Sequence, residues 1–255
     1  MQQKENLGNR LIPYKPAEAV FNVSGSAVST IDESRLKNPL SPKEGDFLVA
    51  IRGYPNPRSN GITDKRKIMV ELFGQDWHKD FYGREFIKYL AQPSIVFYGL
   101  FKQLIDNGLA TSVYHMSGGA FKGKLARPIA KQGLYVKMKG LFPPSWRELT
   151  LAGARFTSAE NAYSKWPMGN DGFITTSNSD SAIELINSYR GRGSGSNLEA
   201  RVVGRLEKDA AGKTGIEFDE TCDTMVLGDV IIQMYIPESI LEYINNLYSK
   251  TKDIK

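Results

Sequence analysis

The first candidate for chemistry is the stretch HMSGGAF, which follows a short apolar run. It contains His115, one of two histidines in the chain, and then Ser117, Gly118 and Gly119. A histidine can donate a hydrogen bond and titrates near neutral pH, and glycines let a ligand approach the backbone. A helix predicted to begin at Phe121 would point its N–H groups at the same turn. The alternative is a structural histidine at a strand end, followed by glycines that turn a corner.

A second candidate is the loop PRSNG, which stands between a predicted strand and a predicted helix. It offers Arg58, Ser59, Asn60 and Gly61. The backbone N–H groups of such a turn, close to a helix N-terminus, can bind an anion. The alternative is a plain turn in which Asn60 and Gly61 supply the positive φ.

Two further stretches carry polar groups. Arg127, with the lysines before it, lies on the helix predicted from Phe121 and either holds a phosphate or forms part of a solvated face. In the turn PMGNDG, Asp171 follows Met168 and Gly169 and could position a cation or a substrate amine. Asn-Asp-Gly is also ordinary turn chemistry. Paired-cysteine, Walker A, dinucleotide-binding and nucleophile-elbow motifs are absent, so the sequence names no metal ligands.

Strands and helices interleave along the chain and must position these groups. The run Phe47 to Ile51 predicts a buried strand, and a helix capped at Thr63 or Asp64 follows the PRSNG loop and ends at Gly74. The interleaving predicts an α/β or α+β class. The other predicted elements are helices over 93–107, 121–129, 145–152, 158–165 and 181–189, strands over 21–28, 109–115, 133–139, 172–176, 198–206 and 215–218, and a strand and helix within 225–248.

Bulk composition excludes several classes. The chain has 255 residues, of which 41% are hydrophobic and 24% charged, as in ordinary soluble globular proteins. The best apolar window, Ile95 to Phe101, is too short to span a membrane. The single cysteine, Cys222, fits a reducing compartment, which predicts a cytoplasmic location. The net charge of +5 is spread out, so a phosphorylated small molecule is a better predicted partner than nucleic acid.

The order of these motifs is more specific than any one of them. Over roughly residues 20–218 the series resembles aminoimidazole ribonucleotide synthetase, also called phosphoribosylformylglycinamidine cyclo-ligase. Related ATP-using enzymes that make hydrogenase cofactor, selenophosphate or thiamine diphosphate have loops that match less well. The blocks that carry the resemblance, at agreeing spacing, are GDFLVAI, the loop ending SNG, HMSGG with KLARPI, the segment YSKWPMG, and the strand ARVVGR.

The resemblance implies an α+β sandwich in which a mixed sheet is flanked by helices. Residues 1–52 would be a remnant of the N-terminal, ATP-binding domain, 53–218 the C-terminal domain, and 219–255 an added strand and helix. It also implies ATP-dependent closure of formylglycinamidine ribonucleotide to aminoimidazole ribonucleotide in purine biosynthesis, with ATP and Mg²⁺ as cofactors. In that reaction ATP phosphorylates the amide oxygen, and an internal nitrogen then attacks the activated carbon and releases phosphate.

By the same resemblance, two facing loops would line a substrate cleft. His115 would be the catalytic residue, either orienting its turn or hydrogen-bonding the substrate. The other residues implied are, for substrate, Arg58, Ser59, Asn60, Gly61, Ser117, Gly118, Gly119 and Arg127 and, for the nucleotide, Met168, Gly169 and Asp171.

The chain departs from the family pattern within these blocks. Arg58 replaces a histidine, Ala120 the third glycine of a triplet, and Pro167 an asparagine, while Lys124 and Ala126 change the N-L-P-R segment. Arg58 can hold a phosphate but cannot act as an acid or base. The changes at Arg58, Ala120 and Pro167 are the reason for an alternative hypothesis, a noncatalytic ribonucleotide-binding or regulatory module.

The strand predicted near the N-terminus indicates that the chain has a protein partner. A barrel strand without its neighbours exposes an unpaired edge and apolar side chains. We therefore expect a second copy, as in a homodimer, or a complementary N-terminal chain to cover residues 20–31.

Overall fold

Helices pack on both faces of a sheet in this protein. The computed structural model describes residues 28, 30, 40–53, 62–81, 83–84, 95–144, 148, 159–190 and 197–219. The strands are β1 (Phe47–Arg52), β2 (Ser112–His115), β3 (Tyr135–Met138), β4 (Gly172–Thr176), β5 (Glu199–Arg205) and β6 (Gly215–Phe218). The helices are α1 (Ile62–Phe73), α2 (Tyr98–Asp106), a π-helix (Phe121–Ala126), α3 (Arg127–Lys131), α4 (Ala159–Lys165) and α5 (Ser179–Ser188).

Strand pairing gives a mixed arrangement. Four strands form an antiparallel sheet in the order β2-β4-β1-β5, and β3 pairs with β6 in parallel. Backbone hydrogen bonds join β3 to the chain around the end of β5: Lys139 N–H donates to the Val203 carbonyl at 2.8 Å, and Tyr135 and Glu207 exchange two bonds. The predicted α+β class, a mixed sheet with flanking helices, is confirmed.

β1 lies in the middle of the sheet and is buried on both faces. Leu48 and Ala50 face one hydrophobic cluster, while Val49 and Ile51 face another. Because successive strand residues point to opposite faces, covering both faces requires an unbroken apolar run, which is what the sequence has. The predicted buried strand is therefore confirmed, and its residues pack with the later part of the chain.

The two clusters hold the helices against the sheet. On the Leu48 face lie α1, through Ile68 and Met69, together with the π-helix, α3, β3 and β6. On the Val49 face lie α2, through Leu100 and Leu104, and α5, whose buried residues include Ile186. Among the described residues, no helix is long and apolar enough to cross a membrane.

The Gly-Asp pair before β1 anchors one end of the sheet. Asp46 is 3% exposed, and its carboxylate accepts hydrogen bonds from the Lys43 N–H at 2.9 Å and the Thr111 hydroxyl at 2.6 Å. The Thr111 hydroxyl also pairs with that of Thr175 at 2.7 Å. These bonds tie the starts of β1 and β2 to the end of β4, so this acidic residue has a structural role at the edge opposite the candidate site.

One predicted helix differs in type. The sequence predicts a helix over 121–129, whereas the chain forms a π-helix to Ala126 and then α3 to Lys131. Arg127 N–H bonds to the carbonyl of Lys122, five residues back. Pro128 follows and has no N–H to continue an α-helical ladder, so it stands in the first turn of the new helix.

Other predicted elements differ from the observed ones only in where they begin or end, or fall on residues outside those that the structure describes. α2 begins at Tyr98 instead of 93, and β2 begins at Ser112 instead of 109. The helix predicted over 145–152, the strand over 21–28 and the elements of 225–248 fall on residues outside those described, apart from positions 28 and 148. The domain boundaries and the covering of residues 20–31 stay predictions.

Candidate functional site

Three segments that sequence analysis singled out meet at one edge of the sheet. β1 and β2 both run antiparallel to β4, so both end at the edge where β4 begins. Gly172, the first residue of β4, lies opposite Ile51 on one side and opposite His115 on the other. The exits of β1 and β2 and the turn that enters β4 are therefore neighbours, although they are far apart in sequence.

The turn after β2 is exposed and contains two glycines. His115 is exposed, and its ring lies edge-on to Phe97 with the ring centroids 5.6 Å apart. Gly118 and Gly119 are also exposed, and the Ala120 N–H donates to the Ser117 carbonyl at 2.8 Å to close the turn. A Cβ at position 118 would meet no atom within 4 Å. The backbone here is open to a ligand.

Ala120 adopts a backbone conformation that glycine favours. Its φ is 35° and its ψ is −128°, and the residue is fully buried. L-residues rarely adopt such angles because Cβ crowds the backbone. The position where the resembled family has its third glycine therefore still requires a glycine-like turn in this chain.

Asp171 joins the three segments through hydrogen bonds. It is 3% exposed, and its Oδ2 accepts from the Gly53 N–H at 2.7 Å. Its own N–H donates to the Ile51 carbonyl at 2.8 Å, and its carbonyl accepts from the Met116 N–H at 3.1 Å. The predicted site residue is therefore at the edge, where it fixes the exits of both β1 and β2.

The rest of the turn before β4 is buried. Met168 and Gly169 have φ values of 46° and 83°, and a Cβ on Gly169 would lie 2.5 Å from the Pro143 carbonyl oxygen. Asn170, which sequence analysis missed as a site-forming residue, bonds to both backbone groups of Phe142 and to the Met168 carbonyl. The only feature of the sequence that pointed to Asn170 was its place in the turn motif Asn-Asp-Gly.

Both flanks of the PRSNG loop are fixed to the segment before β4. On the N-terminal side, Gly53 is bonded to Asp171. On the C-terminal side, Asp64 in the first turn of α1 lies 3.6 Å from the Lys165 ammonium, at the end of α4. Arg58, Ser59, Asn60 and Gly61 themselves lie outside the described residues, so their assignment to the site stays a prediction.

Arg127 is exposed and begins α3. It follows Gly119 by eight residues of mostly helical chain, which is roughly 10 Å along a helix axis. The structure thus brings together His115, the glycine turn and Asp171, but it does not place Arg127 in the same turn.

The described residues do not fit a magnesium site. Among them, no group of three or more His, Cys, Asp or Glu side chains could hold a metal ion. Asp171, a buried carboxylate at this edge, has an oxygen committed to Gly53. Magnesium needs several oxygen ligands in octahedral geometry, so no step is assigned to it here.

Comparisons with known proteins show which proteins this chain is similar to. No protein-family model matches the chain. A phosphoribosylformylglycinamidine cyclo-ligase from Clostridium perfringens is 25% identical over 178 residues, which is 69% of this chain and 50% of that protein. The predicted resemblance to this family is confirmed. The chain spans about half the length of the curated cyclo-ligases of this species that it matches.

Solved structures that align with part of this chain were also found. Thiamine-monophosphate kinase from Stenotrophomonas maltophilia aligns with a TM-score of 0.45 at 12% identity, covering 70% of this chain and 51% of the kinase. T. maritima PurL complexed with FGAR aligns with a TM-score of 0.42 at 13% identity, covering 72% of this chain and 27% of PurL.

Proposed function

We propose that this chain contributes the ligand-positioning half of an ATP-dependent cyclo-ligase that closes formylglycinamidine ribonucleotide to aminoimidazole ribonucleotide. The observation that carries the proposal is the meeting of the HMSGG turn and Asp171 at one sheet edge. The cyclo-ligase relative aligns with this chain over half of its own length, so the proposed activity needs a complementary N-terminal part, in the same or another chain.

In this proposal the chain acts mainly by positioning. The open backbone at Gly118 lets the ribonucleotide lie close to the turn, while His115 hydrogen-bonds the substrate or orients the turn. Arg58, Ser59, Asn60 and Gly61 face it from the loop between β1 and α1, with Arg58 as an anion contact. Holding the internal nitrogen near the activated carbon can supply much of the rate enhancement of a ring closure. Phosphate charge is met by cationic side chains.

The cofactor and assembly predictions belong to the same proposal. ATP binds near Met168, Gly169 and Asp171, and the complementary N-terminal part supplies the ligands of Mg²⁺. A homodimer or a separate N-terminal chain completes the site.

A noncatalytic ribonucleotide-binding module is the second candidate. The strained Ala120 at a glycine-type position and the lack of a magnesium ligand set among the described residues favour it. Such a module would bind the ribonucleotide and leave ATP intact.

The test is ADP release by the purified 255-residue chain given Mg²⁺, ATP and formylglycinamidine ribonucleotide. We expect substrate-dependent ADP release when the N-terminal half of the C. perfringens relative is added, and loss of that release in His115→Gln but not in His78→Gln, the other histidine. Ribonucleotide binding without ADP release under every combination would reject the enzyme and support the module. Release that His115→Gln leaves unchanged would remove His115 from the mechanism.

A further inference from the structure

Two arginines lie on one phenylalanine beside the candidate site. The guanidinium carbon of Arg201 is 3.8 Å from the centroid of the Phe142 ring, and that of Arg52 is 4.8 Å from it. Phe142 is only 1% exposed, whereas both guanidinium groups reach solvent. Guanidinium groups stack favourably on aromatic rings, and the ring here holds two of them in one place.

Strand register explains why the two charges are adjacent. Arg201 on β5 lies opposite Ala50 on β1, and Arg52 lies two residues further along β1. Residues two apart on a strand, and residues directly opposite on paired strands, share one face of a sheet. Both arginines are thus on the Leu48 face, at the end of β1 that leads to Gly53.

The pair is joined to the candidate site through Phe142. The Phe142 N–H donates to the Asn170 amide oxygen at 3.0 Å, and the Phe142 carbonyl accepts from the Asn170 amide nitrogen at 3.1 Å. Asn170 precedes Asp171, which holds Gly53, the residue after Arg52. The two guanidinium groups therefore stand on the rim of the edge where the three segments meet.

The cluster has an excess of positive charge. Glu199 accepts two hydrogen bonds from one Arg52 nitrogen, each at 2.8 Å, and so neutralises one of the two cations. Among the described residues, Arg201 makes one hydrogen bond, to the Gly140 carbonyl at 3.3 Å. Burial lowers the pKa of Arg201, and the nearby Arg52 lowers that pKa further, while Glu199 raises it. An anion would satisfy the remaining Arg201 donors and relieve the repulsion.

We propose that Arg201 and Arg52, held on the Phe142 ring, form a binding site for the phosphate group of a small-molecule ligand. Planar guanidinium groups match phosphate oxygens in charge and geometry. The proposal deepens the proposed function, on which the ligand's identity rests, but phosphate binding needs no turnover. Its failure would leave the cyclo-ligase reaction testable by ADP release, and failure of that reaction would leave this site testable by binding.

The chain offers a matched control on the same strand. Arg205 lies opposite Phe47 in the pairing of β5 with β1, also stacks on a ring, with its guanidinium carbon 5.3 Å from the Phe47 centroid, and hydrogen-bonds the Gly45 carbonyl. It stands at the other end of the strand, away from the candidate site. A cation–π contact alone would make Arg201→Gln and Arg205→Gln equivalent, whereas a phosphate site would separate them.

The experiment is calorimetric titration of the full chain with inorganic phosphate and with ATP, without magnesium and at constant ionic strength. Loss of one charged hydrogen-bonding group should weaken binding by on the order of 10-fold in Arg201→Gln, with Arg205→Gln unchanged. Tighter binding of ATP than of phosphate would assign the site to a nucleotide, and equal binding would assign it to the phosphate group alone. Equal losses in the two variants, no loss in Arg201→Gln, or no wild-type binding of either probe would overturn the proposal.

A second variant keeps the test valid if Arg201→Gln fails to fold. Glu199→Gln removes the carboxylate that competes for Arg52 and leaves both arginines in place. We expect it to bind phosphate about threefold more tightly, since one more cation becomes available. Unchanged or weaker binding by a folded Glu199→Gln protein would overturn the site.

Discussion

At the scale of single residues, the two glycines of the HMSGG turn have different roles. Gly119 has a φ of +91°, and a Cβ there would lie 3.3 Å from the Gly123 Cα, whereas a Cβ at Gly118 would meet nothing within 4 Å. Gly119 is therefore needed to turn the chain, and Gly118 is free to border a ligand. The sequence indicated that the stretch turns the chain or borders a ligand, but it could not assign one role to each glycine, because φ and the free space around a residue depend on the folded backbone.

This difference gives a paired prediction. Gly119→Ala should lower the free energy of unfolding by about 1–3 kcal/mol, since an L-residue is strained at that φ. Gly118→Ala should unfold within about 0.5 kcal/mol of the wild type, yet bind formylglycinamidine ribonucleotide roughly 10-fold more weakly because its methyl group holds the ligand away. Urea unfolding and calorimetric titration measure the two quantities. Wild-type binding by Gly118→Ala would mean that the turn is only a corner.

Asp171 allows a second test. Asp171→Ala leaves the Gly53 N–H without its acceptor in a partly buried place, which should cost about 1–3 kcal/mol of unfolding free energy. Asp171→Asn keeps an oxygen acceptor and should cost less than half as much. Glu184→Ala, at an exposed acidic residue of α5, is the control and should have little effect. If Asp171→Ala unfolds like the control in urea, the hydrogen bond to Gly53 does not hold the edge together.

The role of Asp171 also shows that a local sequence motif does not predict a hydrogen-bond partner from a distant part of the chain. The sequence marked this aspartate as a candidate ligand contact because it stands in a polar turn before a strand. Its strongest described contact is instead with Gly53, 118 positions away in the chain. A turn motif reports local backbone preference, so a partner that far away is invisible in it.

At the scale of elements, local patterns predicted most strands and helices well. β4 and β6 have the predicted ends, because turn residues bound each of them. The π-helix was not predicted, since the apolar spacing of Phe121, Leu125 and Ile129 fits an ordinary helix. Only the proline that follows Arg127 signalled a change in hydrogen bonding.

Asn170 joins two elements and provides a third prediction. Its buried side chain makes two hydrogen bonds to Phe142, which hold the chain after β3 against the turn before β4, and a third to the Met168 carbonyl within the turn. Asn170→Ala should lower the free energy of unfolding by about 2–4 kcal/mol, because it leaves buried backbone groups unpaired. Asn107→Ala removes an exposed bond to the Gln103 carbonyl and should cost about 0.5 kcal/mol or less. Equal midpoints for the two variants in thermal unfolding would contradict the proposed link.

The β6 strand has a pH-sensitive contact. Lys213 donates to Glu217 at 2.9 Å and Tyr135 donates to it at 2.8 Å, and these bonds lower the pKa of the Glu217 carboxyl. A carboxyl with a lowered pKa stabilises the fold above its unfolded pKa, and the contribution is lost as pH falls through the folded pKa. Between pH 7 and pH 3, the thermal midpoint of Glu217→Gln should therefore fall less than that of the wild type. An identical or steeper fall would mean that this contact adds nothing to stability.

At the scale of the whole molecule, the sequence predicted the fold class, and the motifs follow one another in a recognisable order along it. The sequence did not show that these motifs lie side by side at one edge of the sheet. The order β2-β4-β1-β5 places the ends of β1 and β2 side by side, on either side of Gly172. That arrangement depends on the pairing of β4 with two strands whose partner residues lie at least 57 positions earlier in the chain, and such pairing has no local signal. The motif order suggested a shared cleft only through the family resemblance, and the strand pairing gives that grouping a physical cause.

The proposed function requires that a ribonucleotide bind at this edge of the sheet. A backbone amide NMR titration of the full chain with formylglycinamidine ribonucleotide tests this binding. Binding at this edge should give shifts concentrated at Gly53, residues 116–120 and residues 169–171, with little change at Asp46 and Thr111 at the opposite edge. No shifts at saturating ligand, or shifts centred on Asp46 and Thr111, would contradict it.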